Sequence, residues 1–123
     1  MSKIFVGIDV AKEYSTAQGI DSNEKKLFYL RFSMDSAGFA ELRTAIKNCS
    51  ETPDDIAVAM ESVGCYHINL FSFLCAEGFR CNVVNPLLIS KFVQESLRKT
   101  KTDKKDAMTI AQFLLTNERS FAW

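Results

Sequence analysis

The sequence predicts an α/β domain: a mixed five-stranded sheet in the order 3-2-1-4-5, with helices on both faces. Three observations carry this. The first thirty or so residues hold three strand-like runs joined by short turns, the first of them alternating with a period of two. The period then changes to that of helices. Two further apolar runs are each separated by a helical stretch. A chain of 123 residues that is 47% hydrophobic is long enough to bury one core, and residues 1–123 are read as one domain.

Lys3 to Asp9 alternates, with Ile4, Val6 and Ile8 on one side and Phe5, Gly7 and Asp9 on the other. Tyr14 to Ile20 is a second strand, Asp21-Ser22-Asn23-Glu24 a turn, and Lys26 to Phe32 a third strand. Connections this short make the three strands antiparallel neighbours. Asp35 or Ser36 caps a helix whose apolar positions are Phe39, Leu42, Ala45 and Ile46, and Thr52-Pro53-Asp54-Asp55 breaks it. Ile56 to Met60 is apolar throughout, as a strand covered on both faces must be. Tyr66 to Ala76 is helical, with Leu70, Phe71, Phe73 and Leu74 forming a broad buried face and Gly78 ending it. Arg80 to Val84 is the fifth strand. Pro86 opens a helix to about Leu97, and a last helix runs from about Thr102 to Leu115. Right-handed crossovers then place strand 4 parallel to strand 1. The chain stops at Ser120-Phe121-Ala122-Trp123 without a closing element, which predicts a piece of a longer protein.

Charge and cysteines bound the function. The formal net charge is zero, which argues against a binder held to nucleic acid by bulk electrostatics alone. Cys49, Cys65, Cys75 and Cys81 lack CxxC spacing and no secretory signal precedes them, so reduced thiols in a cytoplasmic protein are expected. No apolar stretch approaches the roughly 20 residues of a membrane span.

Four acids stand out. Asp9 and Glu61 each close an apolar run, and Asp103 and Asp106 sit three apart at the start of the last amphipathic run. Strand 1 beside strand 4 brings Asp9 and Glu61 to neighbouring carboxyl ends, about 4.8 Å apart by strand spacing. Ligands of open α/β sheets collect there. Gly7 and Ala59 leave room beside the two carboxylates. A helix would place Asp103 and Asp106 on one face, although Asp103 or Thr102 as N-cap with Asp106 as a first-turn charge explains the same spacing. Each acid alone has such a structural reading. Together they form an all-oxygen set suited to Mg²⁺ or Mn²⁺, and paired metals are a common means of cutting phosphodiesters. Lys12, Arg98, Lys99, Lys101, Lys104 and Lys105 are candidate phosphate contacts, although a solvated turn explains Lys12 and a solvated linker and helix start explains the other five, whose stretch is expected to be mobile. His67, alone at a helix start, reads as a cap or surface residue. Ser62 has no nucleophile-elbow pattern.

At these residues the chain resembles the DEDD-type transposases of the insertion-sequence family numbered one hundred and ten, and their Piv-like DNA invertase relatives. The matching pieces are Gly7-Ile8-Asp9-Val10-Ala11-Lys12, Glu61-Ser62-x-Gly64-x-Tyr66-His67, Val84-Asn85-Pro86, and Lys101-Thr102-Asp103-x-x-Asp106-Ala107 followed by Ile110-Ala111. They span nearly the whole chain in the family's order. Val63 departs from the family's usual Thr. The resemblance implies an RNase H-like (RuvC-like) fold whose tetrad, here Asp9, Glu61, Asp103 and Asp106, binds divalent metal. It further implies a DNA transposase or site-specific recombinase. On the same resemblance, a C-terminal domain is expected to supply the attacking serine, DNA to be the partner, a structured guide RNA to serve some members, and the full-length protein to be a homo-oligomer. Two other readings stay open on the residues. One is a non-catalytic nucleic-acid-binding or oligomerisation domain of the same fold. The other is an actin-like or sugar-kinase-type ATPase, suggested by Gly7-Ile8-Asp9 but lacking the small polar residue expected after the aspartate.

Overall fold

The computed structural model describes residues 3–62, 64–95 and 106–118. The strands are β1 (Ile4–Asp9), β2 (Tyr14–Asp21), β3 (Lys26–Ser33), β4 (Ile56–Glu61) and β5 (Arg80–Val84). The helices are α1 (Ser36–Lys47), α2 (His67–Ala76), α3 (Pro86–Glu95) and α4 (Ala107–Asn117). The sheet order is β3-β2-β1-β4-β5, as the sequence predicts. β1 pairs antiparallel with β2 and parallel with β4, and β4 pairs parallel with β5.

Period-two alternation divides the core between the two faces of the sheet. Ile4, Val6, Ile8, Val58 and Met60 pack with Phe39, Leu42 and Ile46 of α1 and Leu70 and Leu74 of α2. Phe5, Ala57 and Ala59 pack with Ile89 and Val93 of α3 and Ile110, Ala111 and Leu114 of α4. Every residue of β4 is buried, which explains its unbroken apolar run.

Local chemistry sets most boundaries. The Asp35 carboxylate accepts from the Gly38 amide at 2.9 Å and starts α1, and the Ser33 hydroxyl donates to the same oxygen at 2.7 Å. Pro53–Asp55 forms one 3₁₀ turn before β4. Gly78, at φ 90°, takes the left-handed position after α2. Pro86 is the first residue of α3, and Asn85 Oδ1 accepts from the Leu87 amide at 2.8 Å.

Two expectations change. The buried face of α2 is narrower than predicted: Leu70 and Leu74 are fully buried, whereas Phe71 and Phe73 are only partly so. The reason is that α2 lies over β5, the edge strand, so part of the helix extends past the sheet. The last helix begins at Ala107, not near Thr102, because Asp106 has extended backbone (ψ 179°) and its own side chain makes the cap. Asp106 is thus the cap of α4 and not a residue within it. Asp103 itself lies outside the described residues.

Candidate metal centre at the strand ends

β1 and β4 run in register, with Gly7 beside Ala59 and Ile8 beside Met60. One residue further, Asp9 and Glu61 end the two strands on the α4 side of the sheet. Below them, a Cβ at Gly7 would overlap the Ala107 carbonyl oxygen and the Ala111 amide nitrogen. The space at Gly7 is thus filled by helix backbone and is not open room beside the carboxylates. Its effect on the site is indirect: close packing of α4 on β1 brings the start of α4, and Asp106, toward Asp9.

Asp106 Oδ1 accepts from the Thr109 amide at 2.9 Å and from the Thr109 hydroxyl at 3.0 Å. These cap bonds use one carboxylate oxygen and fix the side chain, leaving Oδ2 as the oxygen available to a cation. Asp9 and Asp106 line one open groove of about 760 Å³, together with Thr16, Gln18, Lys26, Leu27, Phe28, Tyr29, Ala107 and Met108. Glu61 is 8% exposed and does not line this groove. Its backbone is held because the Ser62 amide continues the β4–β5 ladder to the Val84 carbonyl at 3.1 Å. The turn after Asp9 is held by the buried Ser15, whose hydroxyl oxygen accepts from the Ala11 amide at 2.9 Å.

Among the described residues, no group of three or more His, Cys, Asp or Glu side chains is placed to hold a metal ion. Asp9 and Asp106 share a groove, Glu61 sits at the adjoining strand end, and the fourth acid, Asp103, is outside the described residues. The donor chemistry is all carboxylate, which fits a hard divalent cation. Lys12 is exposed in the turn after Asp9 and does not line the groove. Arg98, Lys99, Lys101, Lys104 and Lys105, and with them the expected mobility of the basic stretch, fall outside the described residues.

His67 does not cap α2, whose cap position is Tyr66, and it is not fully exposed. It lines a second, smaller groove with Ile68, Phe71, Ser72, Cys81, Asn82 and Val83. All four cysteines are free thiols. Burial pushes the Cys81 thiol far above its ordinary range, with the Cys75 thiol adding to the shift. The groove residues that sequence reasoning passed over are Thr16, Gln18, Lys26 and Tyr29. The usable signal was alternation in β2 and β3, which puts Thr16, Gln18 and Tyr29 on the face of Asp9.

A mixed sheet of this order, with acids ending its two adjacent parallel strands and a third acid at the cap of a helix laid across them, is an RNase H-like fold. The family described as a transposase, of the DEDD type and IS110 class, matches residues 6–122, and the chain belongs to that family. It is similar to the pilin gene-inverting proteins of Moraxella lacunata and Moraxella bovis, each 30% identical over 113 residues. Those alignments cover 92% of this chain and 34% of each relative, so the chain spans about a third of the length of the curated relatives it matches. Among solved structures it is similar to a ROK family glucokinase from Streptomyces griseus, with a TM-score of 0.49 and 14% identity over 74% of this chain and 36% of that one. That likeness is too slight to bear on activity. No helix among the described residues is long and apolar enough to cross a membrane.

Proposed function

We propose that residues 1–123 are the metal-binding catalytic domain of a longer DNA transposase or site-specific recombinase. Asp9, Glu61, Asp103 and Asp106 would hold Mg²⁺ or Mn²⁺. The observation that carries this reading is that Asp9 and Asp106, 97 residues apart in sequence, line one groove at the carboxyl end of β1. Membership of the transposase family supports it.

In this reading a bound divalent cation supplies Lewis-acid stabilisation of charge on a phosphodiester. The chain's own residues do the positioning. Asp9 is fixed at the end of a central strand. The bonds to Thr109 orient Asp106. Glu61, 8% exposed at the end of the neighbouring strand, would add a third carboxylate. Two neighbouring carboxylates repel unless a cation or proton lies between them, which favours cation uptake at neutral pH. The nucleophile would come from a C-terminal domain, with DNA as substrate. A guide RNA and homo-oligomerisation of the full-length protein belong to the same reading.

The test is thermal. Mg²⁺ or Mn²⁺ at millimolar concentration should raise the Tm of the 123-residue chain by roughly 3–6 °C, the effect of a ligand at about ten times its Kd on a domain of this size. Asp9→Asn should abolish the rise. A wild-type Tm that ignores both ions would sink the metal site.

A further inference from the structure

We propose that the α4-facing side of the β2–β3 hairpin holds an unpaired nucleic-acid strand entering the Asp9–Asp106 groove. Tyr29 would be its base-stacking platform, with Arg31 and Lys26 its phosphate contacts. The inference rests on the reading of that groove as a site of DNA processing.

The register puts these residues together. Gln18 pairs with Tyr29 and Thr16 with Arg31, while Gly7 pairs with Gln18 and Asp9 with Thr16. Tyr29, Arg31 and Asp9 therefore lie on one face of the sheet. α4 packs over β1, β2 and β4, and α1 covers the opposite face of β3. Tyr29 is left 66% exposed and Tyr14 49% exposed, both large aromatics on a sheet face. The Arg31 guanidinium lies over the Tyr14 ring, 4.3 Å from its centroid, which holds its charge up against the sheet. Tyr29 and Lys26 line the same groove as Asp9 and Asp106. Near the β2–β3 turn, a 3.2 Å hydrogen bond from Gln112 to Glu24 ties α4 to the hairpin.

Charge and shape select the occupant. A groove lined by two aspartates repels a polyanion unless cations flank it, and Lys26 and Arg31 supply them from the β3 side. Alternation of an aromatic ring with cations along a strand is the chemistry of single-strand binding: the ring takes a base face, and the cations take the backbone. Tyr29 presents a flat ring on a strand and not a wedge. A base can use it only when its own face is free, which favours an unpaired strand over a duplex.

The experiment is fluorescence anisotropy of the 123-residue chain with labelled oligothymidylate of roughly 20 nucleotides, longer than a typical single-strand site, and with a duplex of equal length. Both are measured in EDTA across a salt series. The wild type should prefer the single strand. Tyr29→Ala should weaken that binding about tenfold, within the range for loss of one stacked base, and Tyr29→Phe should retain it. Arg31→Ala should weaken binding and lower the salt slope by about one. Tyr29 is so exposed that its loss removes little core, and circular dichroism checks this. No detectable binding, equal binding of the duplex, or an unchanged affinity in Tyr29→Ala would overturn the proposal. So would light scattering that shows Tyr29→Ala dissociating a dimer while DNA affinity stands, since the face would then be a protein interface. EDTA separates this from the metal reading. Loss of the cation-induced Tm rise with a normal Tyr29 effect would remove the metal site alone, and the converse would remove the strand surface alone.

Discussion

Gly7 of β1 lies so close to Ala111 of α4 that a methyl group added at Gly7 would fall 2.9 Å from the Ala111 Cα. The contact is backbone to backbone, and it sets how near the N-terminus of α4 approaches the end of β1. Gly7→Ala should therefore cost stability at or above the upper end of the roughly 1–3 kcal/mol typical of overpacking, because helix backbone cannot rotate aside as a side chain can. It should also blunt any Tm response to Mg²⁺ or Mn²⁺ by moving Asp106 away from Asp9. Urea denaturation with and without the ion measures both effects. A Gly7→Ala variant of wild-type stability would mean that α4 packs more loosely than described.

Asp35 should give the domain part of its acid sensitivity. The Gly38 amide, then the Ser33 hydroxyl, hold its carboxyl below the ordinary value of 3.8. A carboxyl with a folded pKa below its unfolded one stabilises the fold above the unfolded value, and that contribution disappears as pH falls through the folded value. The window is thus pH 4 and below. Asp35→Asn keeps a capping oxygen but cannot titrate, so it should flatten the fall in Tm below about pH 4 while changing little at pH 7. An identical acid limb in the variant would show that other carboxyls dominate.

Arg80 and Glu118 join the start of β5 to the end of α4 through a 3.3 Å ion pair, with side-chain exposures of 29% and 8%. Breaking a fully buried pair costs about 3–5 kcal/mol. Solvent reaches Arg80, so Glu118→Ala should cost less, about 1–3 kcal/mol. Replacing both residues with apolar ones of similar size should recover much of the loss. A single substitution that changes stability by under about 0.5 kcal/mol would make the pair incidental.

The sheet order was legible because each strand carried its own period and each connection its own length. Ile56 to Met60 showed its two-sided burial as an unbroken apolar run, and Asn85-Pro86 marked the start of α3 through proline geometry. The start of α4 was not legible. Thr102, Asp103 and Asp106 are all competent N-caps by type, and the close packing of Ala107 and Ala111 against Gly7, which accompanies the Asp106 cap, cannot be read from local sequence. Of the candidate site, the strand-end positions of Asp9 and Glu61 were legible from the period of β1 and β4, while the place of Asp106 beside Asp9 came from the packing of α4. The role of Gly7 was misread because the sequence shows a small residue but not what fills its space. Tyr29 and Arg31 stood in plain alternation, yet the face left open on β3 depends on where α4 ends its cover.

The double duty of Asp106 can be separated by two substitutions. Its Oδ1 caps α4 through Thr109, and the proposed metal role needs the negative charge. Asparagine caps helices about as well as aspartate but carries no charge, whereas alanine does neither. Asp106→Asn should keep metal-free stability within about 0.5 kcal/mol of wild type and lose the Tm rise with Mg²⁺ or Mn²⁺. Asp106→Ala should lose the rise and also about 1 kcal/mol of metal-free stability through the missing cap. Thr109→Val removes the hydroxyl that donates to the same carboxylate oxygen but keeps the backbone bond. It should leave the cap largely intact and weaken the metal response by letting the carboxylate turn. Differential scanning fluorimetry of the three variants, in EDTA and in each ion, reads all of these at once. If Asp106→Asn responds to the ions as wild type does, Asp106 is a cap only, and the metal must be held without it.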